Sequence, residues 1–417
     1  MNWSLRIRLC TMMFLQYFVW GGWAVMLYPY LTKTLGFTDQ QAGFVFSVLW
    51  LACIVSPFIG GQIADRYVPT QWFLAVCHLA GGAALLLAAQ QREYPGMLAC
   101  MAIHSLCYAP TLALTNSLAF HHLKNDREFG VIRVFGTIGW IVAGFALTGW
   151  RTLQPGVAER GDMLLMSGAA AVALGLFSFA LPHTPPKREG TNPLAFLEAL
   201  GLLRNPSFLI FMLISFVVTT ELQFYYLPTS GYLIELGQTQ EIFPGFTVTT
   251  ENASSIMTIA QIAEIVGMAL LLPLLLPKIG IRKALAIGVI AWPLRYFIFA
   301  LGEPLALVVA SLALHGIGYT FFFVVSQIYV DRVAPKDIRA SAQALLTLVT
   351  LGIGNFLGTM FTQYILGRFT ITEAGSPFSH DWRTIFLIPC ALTVACAIAF
   401  LVGFRDQRAE VAAEAVA

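Results

Sequence analysis

Three observations predict an all-α membrane protein with twelve transmembrane helices in two six-helix halves. The 417 residues are 58% hydrophobic and only 11% charged, whereas a soluble domain carries about 25% charged residues. Apolar runs recur from the N-terminus to about residue 404, and each approaches the roughly 20 residues needed to cross about 30 Å of hydrocarbon. A polar, proline-rich stretch, Leu181-Pro-His-Thr-Pro-Pro-Lys-Arg-Glu-Gly190, separates two sets of such runs and reads as a linker.

The runs place helices at 9–33, 41–64, 71–90, 96–120, 130–150 and 162–182. The second set falls at 206–234, 253–277, 281–301, 304–332, 339–367 and 383–404. Thr38 and Gln41 have capping-box spacing before the second helix. Asn205 followed by Pro206 supplies an N-cap and a first-turn proline for the seventh. Asp381 precedes the twelfth. Asn192-Pro193 repeats the start signal for a short surface helix ending near Arg204. The chain then divides into a bundle over 1–182, a linker with that surface helix over 183–205, a bundle over 206–404 and a tail over 405–417. The first apolar run is too long for a cleavable signal and leads into further helices.

Orientation follows the lysines and arginines. About 16 of the 24 lie on the side of both termini and about 6 on the other, which predicts that both termini are cytoplasmic. The loop over 235–252 carries Glu235, Glu241 and Glu251 without a base and is expected outside. A net charge of +2 gives no basic field for nucleic acid. The seven cysteines fall in apolar segments without metal-ligand spacing and read as small packing residues, so no metal or cofactor is expected. Six helices, a linker and six more suggest a duplicated carrier with its site between the halves. Catalysis finds no nucleophile, base and oxyanion cluster, so an enzyme is not expected, and no appended soluble domain suggests a receptor.

A charge inside the hydrocarbon costs about 2.5–3.5 kcal/mol on insertion scales and needs a partner, a wet cavity or a task. Arg133, Glu221, Glu264 and Arg295 are such charges. Arg133, Thr137 and Trp140 share one helical face at i, i+4 and i+7, while Gly136 and Gly139 permit close helix approach. The competing reading for Arg133 is snorkelling from a helix end. Gln223 and Tyr226 share a face of the seventh helix, and Pro228 should kink it. Glu221 lies on another face and reads as a structural partner. Gln261 and Glu264 lie side by side at mid-helix, and Glu264 is the chief candidate for proton coupling. Arg295, next to Trp292-Pro293, reads as peripheral and structural. His315 and Tyr319 share a face, with Thr320, Phe322 and Phe323 beside them. Gln16, Trp20 and Trp23, with Tyr108, Pro110, Thr111 and Asn116, add further polar and aromatic groups. Amides, one carboxylate, one guanidinium, hydroxyls and flat rings suit a neutral, hydroxylated, partly aromatic solute. Nucleosides fit best, and sugars less well.

Gly60-Gly-Gln-Ile-Ala-Asp-Arg66 resembles the loop signature of the major facilitator superfamily, in which Asp65 and Arg66 would latch helix ends. The stretches Gln16-Tyr-Phe-Val-Trp-Gly-Gly-Trp23, Tyr108-Ala-Pro-Thr-Leu-Ala-Leu-Thr-Asn116, Ile132-Arg-Val-Phe-Gly-Thr-Ile-Gly139, Glu221-Leu-Gln223, Gln261-Ile-Ala-Glu264, Ile338-Arg-Ala-Ser-Ala-Gln343 and Asp381-Trp382 resemble, in order, the bacterial nucleoside–proton symporters of that superfamily. The resemblance implies inward nucleoside carriage by alternating access, driven by protons. It places substrate contacts on Arg133, Thr137, Gln223, Gln261 and Glu264, and aromatic positions on Trp140 and Tyr319. The family's tenth-helix aspartate falls on Thr320 and a seventh-helix asparagine on Tyr226. Those departures leave coupling to Glu264, or leave a uniporter. The expected partners are a uridine-like nucleoside, protons and the lipid bilayer, with the chain acting as a monomer. The rival readings are a sugar or drug carrier of the same fold and a membrane receptor or enzyme.

Overall fold

The regular elements are helices, with bridge residues at Phe243, Phe246, Thr370 and His380, over the residues that the computed structural model describes: 3–56, 67–123, 126–186, 194–335, 338–371 and 378–405. We label the segments α1 (Trp3–Ala24), α2 (Asp39–Ser56), α3 (Thr70–Ala88), α4 (Tyr94–His122), α5 (Asp126–Leu153) and α6 (Asp162–Ser178). The series continues with α7 (Pro206–Tyr226), α8 (Ile259–Val266), α9 (Leu272–Leu301), α10 (Ala313–Gly318), α11 (Asn355–Arg368) and α12 (Trp382–Gly403). Ten helical stretches among the described residues are long and apolar enough to span a bilayer. One of them, Ala253–Leu301, is broken at Gly280, whose φ of 73° is not helical and lies where a side chain would be strained. Counting that stretch as two crossings and adding the shorter α6 gives the twelve that the apolar runs predict.

The predicted start signals do the capping they imply. Thr38 N donates to Gln41 Oε1 at 3.0 Å and Gln41 N to Thr38 Oγ1 at 3.2 Å, a reciprocal capping box. Asn205 Oδ1 accepts from Ser207 N at 2.9 Å, and Asp381 Oδ1 from Thr384 N at 3.1 Å. Pro228 ends α7, and the chain resumes as Thr229–Gly237, with the Thr229 hydroxyl donating to the freed Phe224 carbonyl at 3.0 Å. The linker helix over Ala195–Arg204 is of the tighter 3₁₀ form. Asn192, Pro193, and the loop bearing Asp65 and Arg66 lie outside the described residues. α1 begins at Trp3, earlier than its apolar run, and in its first turns Arg6 lies over the Trp3 ring at 5.5 Å.

Polarity is distributed as a bilayer requires. Large apolar side chains such as Phe44, Val76, Leu106, Phe145, Leu213 and Leu274 are exposed, whereas Gln16, Thr111, Glu221, Gln223, Arg295 and His315 are buried. Close helix approach rests on small residues: a Cβ on Gly139 would strike the Phe14 carbonyl, and one on Gly136 would lie 2.6 Å from the Tyr17 ring. This joins α1 to α5, as the glycine spacing predicts.

Contacts group the chain into two compact units. The first comprises Met1–Pro193, Gln223–Thr258 and Thr359–Ser379. The second comprises Leu194–Leu222, Ile259–Gly358 and His380–Ala417. Within the first unit, segments from the second half of the sequence bind the first half. Arg151 pairs with Asp162 through Nε–Oδ2 at 2.6 Å and Nη2–Oδ1 at 2.8 Å, and its Nη1 donates to the Thr250 carbonyl at 2.8 Å. Lys33 Nζ meets Glu235 Oε1 at 2.5 Å, and Ser379 N donates to Glu235 Oε2 at 3.1 Å. Ser230 Oγ donates to the Val25 carbonyl.

Candidate functional site

In the first unit, α5 presents Arg133, Thr137 and Trp140 on the single face that their spacing predicts. The Arg133 guanidinium lies 4.1 Å above the Tyr17 ring, a cation–π contact that holds it beside α1. Thr137 and Trp140 are buried. The Trp140 ring meets Trp20 edge-on at 5.3 Å and the Tyr226 ring at 6.4 Å. Trp20 in turn meets Trp50 at 5.8 Å and Tyr108 at 6.4 Å. Rigid aromatic walls of this kind stack on flat solutes. Gln223 is fully buried, and its Oε1 accepts from Thr359 Oγ1 at 3.2 Å.

The second unit carries the remaining predicted residues. Gln261 and Glu264 are buried on one face of α8. Gln261 Oε1 accepts no hydrogen bond among the described residues, so a buried carbonyl oxygen is left for a donor from elsewhere. A Cβ on Gly316 would strike the Glu264 main chain, so α10 lies hard against α8 at the carboxylate-bearing turn. The run continuing α10, Tyr319–Val324, is a π-helix, as is Gly267–Leu271 after α8. Such wide turns re-aim side chains and concentrate at functional sites. Tyr319 stacks on His315 at 6.3 Å and 21° and meets Phe323 at 5.4 Å. Thr320 is fully buried against Gly267, and its hydroxyl donates to the Glu264 carbonyl at 3.4 Å.

The structure thus brings Arg133, Thr137, Trp140, Gln223 and Tyr226 into one unit, and Gln261, Glu264, Tyr319 and Thr320 into the other. Gln16, Tyr108 and Thr111 serve the helix packing: Gln16 Nε2 donates to Thr111 Oγ1 at 2.8 Å, and the Tyr108 hydroxyl to the Gln16 carbonyl at 2.6 Å. Trp23 is buried against Phe46 and His104. Tyr17 and Trp50 escaped the sequence reading. Tyr17 stands three residues before Trp20, and that spacing was the signal available for it. Arg295 is not peripheral. It is fully buried, with Nη1 2.9 Å from His315 Nδ1, Nη2 donating to the Tyr296 hydroxyl at 2.7 Å, and its guanidinium 4.8 Å from the Trp292 ring.

The chain matches the family described as Nucleoside H+ symporter over residues 1–409. It belongs to the nucleoside H+ symporter family. It is 35% identical over 422 residues to the putative nucleoside transporter YegT of Escherichia coli (strain K12), an alignment covering 97% of this chain and 95% of that one. The xanthosine permease of the same organism is 30% identical over 415 residues, covering 96% of each. The crystal structure of the nucleoside transporter NupG superposes with a TM-score of 0.83 at 30% identity, over 97% of this chain and 100% of that one. The fold is therefore that of the major facilitator superfamily, and the protein is a multi-pass membrane carrier, not an enzyme. The residues that the resemblance implies for substrate fall on both units of this nucleoside H+ symporter family member.

Proposed function

We propose that this protein carries nucleosides into the cell with protons by alternating access, as a monomer in a bacterial inner membrane with both termini in the cytoplasm. The full-length family match carries the reading. The chemistry of the two residue groups agrees with it. Uridine is uncharged near neutral pH and offers a flat base and ribose hydroxyls. Trp140, Tyr226 and Tyr319 supply stacking faces, each worth about 1–3 kcal/mol per base in comparable sites. Gln223 and Gln261 supply donors and acceptors for base edges, and Arg133 and Thr137 supply donors. Glu264 accepts from ribose hydroxyls, and its protonation couples the two cargoes. Asp65 and Arg66 latch the loop after α2 in one state. Arg133 is one guanidinium in a set that also holds a carboxylate, which suits a neutral solute better than a phosphorylated one.

The test is radiolabelled uridine uptake into proteoliposomes, with and without an imposed inward proton gradient. One proton per nucleoside supports about tenfold accumulation for each pH unit, since a tenfold ratio corresponds to about 1.4 kcal/mol. Saturable accumulation that collapses when the gradient is discharged is the expected result. Uptake that only equilibrates would remove the proton from the reading. Uptake blocked by sugars and untouched by unlabelled uridine would remove the nucleoside.

A further inference from the structure

A second buried carboxyl lies in the second unit, apart from the residues assigned to substrate. Glu221 is fully buried on α7. The Tyr296 hydroxyl reaches it but gives its one proton to the Glu221 main-chain carbonyl at 2.7 Å. Both carboxyl oxygens are left buried with no hydrogen-bond donor among the described residues. An ionised carboxylate so placed costs several kcal/mol, whereas the neutral acid is tolerated there. The Arg295 guanidinium stands one hydroxyl away, donating to Tyr296 and held on its other side by His315. The titratable and charged neighbours are thus Arg295 and Tyr296 of α9 and His315 of α10, with Cys390 and Cys396 of α12 within electrostatic reach. On α11, the neighbour of this stretch of α7 is Gly358, packed against Thr220.

We propose that Glu221 is a proton-binding site of the carrier, with Arg295 as its exchangeable counter-charge. On loading, a proton from water forms the Glu221 O–H bond, and Arg295 rests on Tyr296 and His315, the arrangement seen here. On release, the proton returns to water on the opposite side, and Arg295 turns from His315 to neutralise the carboxylate. Those two arrangements reach the substrate walls through short links. Glu221 is two residues from Gln223 on α7. His315 stacks on Tyr319, and its neighbour Gly316 presses on the Glu264 main chain. The Tyr296 hydroxyl stands between the two charges, donating to the Glu221 main chain within reach of its carboxyl and accepting from Arg295, so a small turn of the guanidinium changes which group faces the carboxyl. The inference rests on the symport reading above and assigns it a proton site.

The experiment uses full-length protein in proteoliposomes with three readouts: uridine counterflow at equal pH, uphill uptake under an inward proton gradient, and uridine-linked proton entry followed by an internal pH dye. A wild type that shows counterflow without proton entry would defeat the symport reading itself, before any variant is compared. With a coupled wild type, Glu221→Gln is expected to keep counterflow, to lose proton entry, and to reduce accumulation from about tenfold per pH unit to equilibration. Glu221→Asp keeps the acid and is expected to keep proton entry with a displaced pH profile. Uphill uptake and proton entry at wild-type levels in Glu221→Gln would overturn the proposal. So would loss of counterflow in both variants with unchanged melting, because Glu221 would then serve carriage as a whole and not its coupling.

Discussion

Gln261 gives a prediction whose two parts have opposite signs. Its Oε1 is buried and accepts no hydrogen bond among the described residues. A buried polar atom left without a partner costs about 1–3 kcal/mol. Gln261→Met has nearly the same length and no such atom, so the substrate-free protein should become more stable. The same atom is the acceptor that we assign to a donor on the nucleoside. Forming that bond recovers the desolvation already incurred, so its loss should weaken binding by a similar 1–3 kcal/mol, about 5- to 150-fold. Stability is read as the thermal midpoint of purified protein in detergent without ligand. Affinity is read by equilibrium binding of labelled uridine to the same preparation. A rise in midpoint together with the weaker affinity supports the assignment. A fall in midpoint with unchanged affinity would refute it, because the oxygen would then be serving the fold.

Two further perturbations separate architecture from coupling. Glu264→Gln is expected to abolish uphill uptake and also to weaken uridine binding, because we assign Glu264 to the ribose hydroxyls as well as to coupling. Uphill uptake undiminished in that variant would remove Glu264 from coupling. Asp162→Asn leaves the buried Arg151 guanidinium without its counter-charge and should destabilise the protein by about 3–5 kcal/mol, seen as a large fall in midpoint. Arg151→Met combined with Asp162→Leu should recover part of that loss, and purely additive losses would show that the two do not act as a pair.

The fold was legible because bilayer crossing imposes a length and a polarity that a single sequence displays. Helix starts were legible where capping chemistry is local, as at Thr38, Asn205 and Asp381. Departures from regular helix were less so. The π-turns over Gly267–Leu271 and Tyr319–Val324 arise from packing between elements distant in sequence, and no three- or four-residue spacing announces them. Arg295 was misplaced for a related reason. Proximity to Pro293 and Trp292 suggested an edge, but the guanidinium is held inward by His315, twenty residues along the chain. Arg151 and Asp162 were passed over because each stands near a helix end, where charge is unremarkable until the two are seen to be buried together. Tyr17 was visible in its spacing to Trp20, but its role needed Arg133 of another helix.

The surroundings of Thr320 bear on how this chain couples. The resemblance puts an intramembrane aspartate there, and its loss argues for weaker coupling if that position alone held the proton. In this chain the Thr320 side chain faces Gly267 at van der Waals range, and its hydroxyl is taken by the Glu264 carbonyl. A carboxylate at that position would have to displace the α8 backbone or turn away from it. Thr320 therefore serves the packing of the helix that follows α10 against α8. The second unit holds two buried acids on α7 and α8, Glu221 near the Arg295 guanidinium and Glu264 beside Gln261. A carrier with threonine at position 320 can still couple through these two carboxyls. Glu221→Gln and Glu264→Gln are told apart by binding, because both should lose uphill uptake and only the second should also lower affinity.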